Sequence, residues 1–465
     1  MYSTIRFNHI VYTQRVLISN HHRGTHHVLI GRFMSFKDLG INAALIKALH
    51  TAGIEKPFPI QKATLPDAIA GKDILDRGQT GSGKTLAFGL ALISRLAGKT
   101  AAPMRPLALI LSPTRELAMQ ISDVIAPLSR SVNLNSQVVA GGLSYSKQIQ
   151  ALKRGVPIVV ATSGRLIDLI QKKHIQLDDI SITVLDEADQ MADMGFLPDV
   201  KRILDLTKPG GQRMLFSATL DKDVDSLVKK YLRNPVTHSL ANEKSTATNM
   251  NHHVLVMDQA HKDLITSQIA ARKGKSIFFV RTKHGADKLA KKMNQAGVVV
   301  GALHGGKTQS QRSRVLEAFK SGKTSALVAT DVAARGIHVD DVSLVVHVDA
   351  PENHKDYLHR AGRTARAGAV GTVVTLATHK QRRGVHGLTA RAGVKLTESN
   401  VKPLDSTLVR ITGAVEPSGI PIEEASPGRG ESSDESQGRR GSRSKGGGRR
   451  KKSRPRPNER RKRPR

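Results

Sequence analysis

The chain has 465 residues, of which 39% are hydrophobic and 24% charged, and its formal net charge is +34. It contains no cysteine, which excludes disulfides, thiolate zinc sites and cysteine nucleophiles. No apolar stretch approaches the roughly 20 residues that span a bilayer, and no secretory signal is visible, so we expect a cytoplasmic protein without a membrane partner.

The first 33 residues show no clear hydrophobic period, and we predict them to be a disordered N-terminal extension. A clean helical pattern begins only at Met34, which is therefore a candidate start of the native protein. A metal site formed by the nearby histidines is disfavoured because no acidic partner lies close to them.

Short β-rich runs alternate with longer helical patterns through the middle of the chain. The candidate strands form two series, "PLALILSP", "GVPIVVATS", "SITVLDE" and "RMLFSAT", then "SIFFVRT", "VVVGALHG", "TSALVATD", "LVVHVDAP" and "GTVVTLAT". Continuous apolar strands separated by helices predict parallel sheets with both faces covered. The polar stretch between the series predicts a linker at 237–250, which separates an α/β domain at 34–236 from a second one at 251–400.

We predict residues 401–465 to be a disordered tail that is strongly basic from about residue 439. Residues 439–465 contain 15 Lys or Arg and a single acid, Glu459. Such a segment binds polyanions by releasing counterions, which favours non-specific tethering of RNA. A solubilising tail and a docking segment for a ribosome or protein partner are the alternatives.

The stretch "GQTGSGKT", residues 78–85, matches the pattern G-x-x-x-x-G-K-[ST] between a candidate strand and a candidate helix. Glycines let backbone N–H groups surround phosphate oxygens, and the helix N-terminus favours negative charge. Lys84 then reaches the β- and γ-phosphates, and the Thr85 hydroxyl contacts Mg²⁺. The alternative, a chance glycine-rich turn, is disfavoured by the strand-loop-helix context.

An apolar strand, "ITVL", ends in the acidic run "DEAD". We interpret Asp186 as holding Mg²⁺ through water and Glu187 as orienting the water that attacks the γ-phosphate. The alternative, an exposed acidic cap of the following helix, fits Asp189 and Asp193 better than it fits Asp186.

Taken in order, these motifs resemble those of the DEAD-box RNA helicases, and most closely the bacterial RhlE-type members, over about residues 35–380. The resemblance implies an α/β fold of two tandem RecA-like (P-loop NTPase) domains, each a parallel sheet flanked by helices. It also implies ATP and Mg²⁺ as cofactors and RNA as the partner.

The resemblance implies a set of nucleotide contacts. Gln61 in "GIEKPFPIQ" matches the adenine-reading glutamine of the family, with Phe36 as the upstream aromatic and Ile54 against the base. The implied nucleotide-binding residues are Phe36, Ile54, Gln61, Gln79, Thr80, Gly81, Ser82, Gly83, Lys84, Thr85, Asp186, Gly336 and His338. The implied catalytic residues are Lys84, Glu187, Ser217, Thr219, His359, Arg363 and Arg366, of which the last two match the arginine fingers.

Further motifs match the RNA-contacting segments of the family, among them "PTRELA", "TSGR" and "ATDVAARGIHV". The implied RNA-binding residues are Thr114, Arg115, Gly142, Thr162, Arg165, Gln309, Arg312, Thr330 and Asp331. Contacts of this kind hold the sugar-phosphate backbone without reading bases, and the 2′-hydroxyl distinguishes RNA from DNA.

Five positions depart from the family pattern. Ser163 replaces a usual proline, and Gly306 replaces a usual acid. Gly78 and Ala365 stand where the family commonly has Ala and Gly. His338 stands where an Asp generally bonds the ribose hydroxyls, which implies a weaker ATP contact.

The function implied by the resemblance is RNA-stimulated ATP hydrolysis coupled to closure of the cleft between the domains. Closure bends the bound strand, separates short RNA duplexes and remodels ribonucleoprotein. Ribosome assembly and mRNA turnover remain open as pathways, with ribosomal precursors or RNA-degradation machinery as partners. A non-catalytic ATP-gated RNA clamp or annealing chaperone is one alternative function, and a DNA helicase is another.

Overall fold

The computed structural model describes residues 34–78, 82–239, 250–334, 339, 341–365 and 370–422. The predicted N-terminal extension and the basic segment from about residue 439 lie outside these ranges. Within them, no helix is both long enough and apolar enough to cross a membrane.

The first sheet is built from seven parallel strands. They are β1 (Ile74–Arg77), β2 (Ala108–Leu111), β3 (Ser136–Val139), β4 (Ile158–Ala161), β5 (Ile182–Leu185), β6 (Gln212–Ser217) and β7 (Val236–Ser239). Their order across the sheet is β3-β4-β2-β5-β6-β1-β7. This finding confirms the parallel α/β architecture that the apolar runs predict.

Helices cover both faces of the first sheet. They are α1 (Ala43–Thr51), α2 (Pro59–Ile69), α3 (Lys84–Leu96), α4 (Arg115–Arg130), α5 (Tyr145–Lys153), α6 (Ser163–Gln171), α7 (Ala188–Asp193), α8 (Leu197–Asp205) and α9 (Lys222–Tyr231). Along β2, Ile110 faces one hydrophobic core while Leu109 and Leu111 face the other. Every residue of β2 is therefore buried, because side chains alternate between the two faces of a strand.

The order of the strands places three loops side by side. β1, β6 and β5 are neighbours, with Arg77 in register with Ser217 and Leu185 in register with Leu215. Parallel strands end at the same edge of a sheet, and ligands bind beyond that edge. The glycine-rich loop after β1, the acidic run after β5 and the residues after β6 therefore meet at one place.

The second sheet repeats this plan. Its strands are β8 (Met250–Met257), β9 (Lys275–Phe279), β10 (Val300–Leu303), β11 (Ala326–Ala329), β12 (Val342–His347), β13 (Gly371–Thr378) and β14 (Leu396–Asn400), in the order β10-β11-β9-β12-β13-β8-β14. Its helices are α10 (Lys262–Ala270), α11 (Lys283–Gln295), α12 (Gln309–Lys320), α13 (Asp331–Ala334), α14 (His354–Ala361), α15 (Arg382–Arg391) and α16 (Ser406–Thr412).

The folded part of the chain reaches beyond residue 400, although the disordered tail was predicted to begin at residue 401. Helix α16 buries Leu408 completely, and Val401 and Ala414 join the same core. Asp405 caps this helix by accepting from the N–H of Leu408. Residues 401–422 therefore belong with the second sheet, which corrects the predicted start of the tail.

The first sheet also continues into the stretch predicted to be the linker. Strand β7 runs to Ser239 and pairs in parallel with β1 along its whole length. Strand β8 begins at Met250, the last residue of the predicted linker. Residues 240–249 lie outside the described part of the chain.

Candidate functional site

The glycine-rich loop leads into α3 through a left-handed residue. Gly83 has φ 92°, and a Cβ there would lie 2.6 Å from Nε2 of Gln61, so only glycine fits. Lys84 begins the helix, is buried, and donates from Nζ to the carbonyl oxygen of Gly78. Thr85 follows in the first helical turn, at an end of the helix that favours anions.

Six residues lie outside the described part of the chain, although the sequence predicts that they bind the nucleotide or act in catalysis. They are Gln79, Thr80, Gly81, Gly336, His338 and Arg366. Ser82, the remaining loop residue of the set, is half-buried beside Gly83.

The acidic run after β5 is buried. Asp186, Glu187 and Asp189 are each no more than 6% exposed, and Glu187 adopts the left-handed conformation with φ 53°. Burial raises the pKa of Asp186 to about 6, against the opposing charge of Lys84. Burial likewise raises the pKa of Glu187 to about 7, although the Arg363 guanidinium lowers it. A carboxylate with a pKa near neutrality suits the holding or moving of a proton.

Asp189 fastens the end of β5 to the end of β6. Its Oδ2 accepts from the N–H groups of Ala218 and Thr219, at 3.1 and 2.9 Å, and from the Thr219 hydroxyl at 3.2 Å. In return, the Ser217 hydroxyl accepts from the Asp189 N–H at 3.3 Å. The interpretation of Asp189 as part of an exposed acidic cap is therefore wrong, because Ser217–Thr219 enclose its carboxylate.

The proposed base-reading residue connects two backbone segments. Oε1 of Gln61 accepts from the N–H of Phe58 at 2.9 Å, and its Nε2 donates to the carbonyl oxygen of Gly83 at 3.1 Å. Phe36 is buried in the first core, and Ile54 packs against that core. Phe58 was not among the predicted nucleotide-binding residues, and its side chain is 53% exposed beside this amide. Its signal in the sequence was an aromatic residue inside "GIEKPFPIQ".

A cleft of about 400 Å³ lies between the two domains. Its lining includes Lys84, Glu187, Asp189 and Thr219 from the first domain and His252, Lys355, His359 and Arg363 from the second. The structure therefore brings His359 and Arg363 to the same cleft as the phosphate loop and the acidic run. The sequence motif alone predicts a catalytic role for both residues.

Ion pairs join the domains at the mouth of this cleft. Nζ of Lys355 lies 2.6 Å from Oδ2 of Asp221 and 3.5 Å from Oδ1 of Asp193. Asp221 also caps α9, because its Oδ1 accepts from the N–H of Val224 at 3.0 Å. A lysine of the second domain is thus held by the segment that follows Ser217–Thr219.

The predicted RNA contacts of the first domain lie near the N-termini of two helices. Thr114 caps α4, where its hydroxyl accepts from the Leu117 N–H, and Arg115 donates to the Gly141 carbonyl oxygen at 2.9 Å. Gly142 has φ 75°, and a Cβ there would overlap the Arg115 guanidinium. Thr162 precedes α6, and the Arg165 guanidinium lies 4.9 Å from the centre of the Tyr145 ring.

In the second domain, the four predicted RNA contacts separate into two places. Arg312 reaches across to the first domain, with Nη2 3.1 Å from Oε2 of Glu116, and Gln309 approaches Met119 at 3.9 Å. Thr330 and Asp331 lie at the start of α13 instead. Both oxygens of Asp331 accept from the Arg360 guanidinium, at 2.5 and 2.7 Å.

Backbone geometry accounts for the cost of two departures from the family pattern. Ala365 stands where the family commonly has glycine and adopts φ 56°, a left-handed conformation that glycine accepts more readily. Ser163 replaces a usual proline at the first position of α6, where the fixed φ of proline suits a helix.

The donors available for a divalent cation are the Thr85 hydroxyl and the Asp186 carboxylate. Oxygen ligands of this kind suit Mg²⁺, which keeps several waters and takes one or two carboxylates from the protein. Among the described residues, no group of three or more His, Cys, Asp or Glu forms a metal site. The two oxygen donors fit a cation that also takes oxygens from a bound polyphosphate.

Two family models match the chain. The model for the DEAD/DEAH box helicase matches residues 58–227, and that for the helicase conserved C-terminal domain matches residues 259–368. Together they cover more than half of the chain.

Curated relatives and solved structures extend these matches. A rice DEAD-box ATP-dependent RNA helicase 9 is 39% identical over 77% of this chain, and an Arabidopsis thaliana mitochondrial protein of the same name is 39% identical over 79%. The chain spans 58% and 61% of the lengths of these two relatives. A variant of S. cerevisiae Dbp5 bound to RNA and ADP BeF3 is 30% identical with a TM-score of 0.70, covering 79% of this chain and 95% of its own.

Proposed function

We propose that this chain, which belongs to the DEAD-box family of ATP-dependent RNA helicases, hydrolyses ATP in an RNA-stimulated reaction and opens short RNA duplexes. The observation that carries the proposal is the shared cleft, where Lys84 and Glu187 of one domain face His359 and Arg363 of the other. The Dbp5 structures similar to this chain hold RNA and a nucleotide analogue, which supports the same ligands here.

Each group has a role that its position supports. Lys84 and the N-terminus of α3 bind the triphosphate, and Gln61 reads the base. Glu187 orients the attacking water, and Arg363 stabilises the charge that develops on the γ-phosphate. Because Arg363 lies on the second domain, turnover requires the cleft to be closed.

We propose Mg²⁺ as the cation of this site, held by Thr85 and Asp186. When bound with the nucleotide, it neutralises phosphate charge.

RNA is proposed to lie along Arg115, Gly142 and Arg312; both arginines contact the Glu116 carboxylate, and Gly142 lies against the Arg115 guanidinium, which supports the proposal. Backbone contacts of this kind give little sequence specificity. The basic tail is proposed to add a non-specific tether. Removing residues 423–465 is then expected to flatten the salt dependence of RNA binding while turnover at saturating RNA is kept.

Three finer assignments are also proposals. We propose a cytoplasmic location and the domain division at 34–236 and 251–400, adjusted to include β7 and residues 401–422. We also propose membership of the bacterial RhlE-type subgroup from its motifs. A phylogeny containing bacterial sequences beside the rice and Arabidopsis relatives tests the last assignment, and cell fractionation tests the first.

The direct test is phosphate release from ATP by the full chain, with single-stranded RNA or with DNA of the same sequence. We expect stimulation by RNA and a loss of at least about 100-fold in Glu187→Gln, because a positioned base contributes that much. Glu317→Gln changes an exposed glutamate and serves as the matched control. Tight RNA retention without turnover indicates the clamp instead, and equal stimulation by DNA indicates a DNA helicase.

A further inference from the structure

Asp76 is a buried acid that the proposed mechanism does not use. It is the third residue of β1, it is 0% exposed, and it lies in register between Phe216 and His238 of the neighbouring strands. Within the described ranges, neither of its carboxylate oxygens has a hydrogen-bond partner. A carboxylate buried in this way lowers the stability of the fold unless it gains a partner or loses its charge.

The carboxyl group lies directly under the start of the phosphate loop. A Cβ added to Gly78 would lie 3.2 Å from Oδ2 of Asp76 and 3.6 Å from the Ser82 hydroxyl oxygen. The first of these distances is tighter than an ordinary van der Waals contact, so alanine at position 78 requires the Asp76 carboxyl group to shift. Gly78 leaves the space that the Asp76 carboxyl group occupies, so the two residues form a sterically matched pair.

The charge of Asp76 acts on the site that receives phosphate. Burial raises its pKa to about 6, and Lys84 opposes that rise. Asp76 in turn contributes to the raised pKa of Asp186. A carboxylate at this position therefore competes with the phosphates for the positive charge of Lys84.

We propose that Asp76 is a positioning residue that restricts the side chain allowed at Gly78 and weakens the binding of a triphosphate. This proposal rests on the proposed ATP site. Its consequences are a nucleotide held loosely enough to leave and a preference for glycine at position 78.

The first experiment compares Asp76→Asn with the wild-type chain by calorimetric titration with Mg²⁺ and ATP and by steady-state hydrolysis. We expect Asp76→Asn to tighten ATP binding and to lower KM by about tenfold, which is ~1.4 kcal/mol. The value of kcat is expected to stay within about twofold, and the melting temperature is expected not to fall. Asp225→Asn, on α9, changes an acid whose side chain is 48% exposed and pairs with Lys229, and it is expected to leave these values unchanged.

The second experiment tests the steric pair. Gly78→Ala is expected to raise the KM for ATP in the wild-type chain and to be harmless when combined with Asp76→Ala. An unchanged affinity in Asp76→Asn, or equal damage by Gly78→Ala in both backgrounds, overturns the proposal. A purely structural role predicts weaker ATP binding and a lower melting temperature in Asp76→Asn. Absence of turnover in the wild-type chain contradicts the proposed function instead, and the titration still decides the role of Asp76.

Discussion

The ion pair between Arg360 and Asp331 offers a quantitative test of how the second domain is held together. Arg360 is 3% exposed. Besides its two hydrogen bonds to Asp331, its guanidinium donates a third, at 2.7 Å, to the Asp349 carbonyl oxygen. Its guanidinium also lies 5.1 Å from the centre of the Phe279 ring. Removing Arg360 leaves the Asp331 carboxylate, which is 28% exposed, without its partner, and we take a cost of about 3 kcal/mol, the lower end of the range for a buried pair. We therefore expect Arg360→Ala to lower the melting temperature of this domain by roughly 10 °C.

The matched control is Arg382→Ala. Arg382 lies 2.8 Å from Glu398, but its side chain is 55% exposed, so its loss is expected to cost at most about 1 kcal/mol. Arg360→Lys is expected to fall between the two, because lysine keeps the charge and loses the paired geometry. Thermal unfolding followed by circular dichroism measures all three variants. Equal shifts for Arg360→Ala and Arg382→Ala would refute the reasoning.

Three further predictions concern Phe58, Lys355 and Asp76. Phe58→Ala is expected to raise the KM for ATP several-fold and Phe58→Tyr to preserve it, because an exposed ring beside Gln61 offers a stacking surface to the base; equal KM values in steady-state hydrolysis would contradict this. Lys355→Ala is expected to shift the cleft towards the open state and to lower RNA-stimulated hydrolysis, whereas Asp221→Asn, which keeps the cap of α9, is expected to have a smaller effect; fluorescence transfer between labelled domains measures closure. For Asp76, the folded pKa of about 6 lies above its ordinary value of 3.8, so the folded state binds the extra proton and stability falls as pH rises from about 4 to about 6. The melting temperatures of Asp76→Asn and the wild type are expected to diverge as the pH rises over that range and to remain different above it. A difference in melting temperature that does not change with pH would refute the assignment.

Most of the central strands could be predicted from the sequence, whereas β8 and three edge strands were not among the predicted runs. The predicted runs form central strands in both sheets and edge strand β10 in the second, and most of their residues are buried. Strands β3, β7 and β14 lie at sheet edges, and each of them contains polar residues and has at most one fully buried residue. An edge strand has one neighbour and needs less apolar surface, so the period that reveals a central strand is missing.

The site was predictable where a single strand end or loop determines it. The phosphate loop and the acidic run meet because parallel strands finish at one edge. The burial of Asp189 and Asp76 depends on what neighbouring strands place around them, and the exposure of Phe58 depends on how α2 packs. None of these three properties is visible in local spacing.

The short link from Asp189 to the second domain has a mechanical consequence. Asp189 grips Ser217–Thr219, and two residues further along Asp221 holds Lys355. A displacement of the strand end that carries Glu187 is expected to reach Lys355, on the opposite wall of the cleft, through the short segment from Ser217 to Asp221. This segment therefore couples the proposed catalytic residue Glu187 to the contact between the two domains.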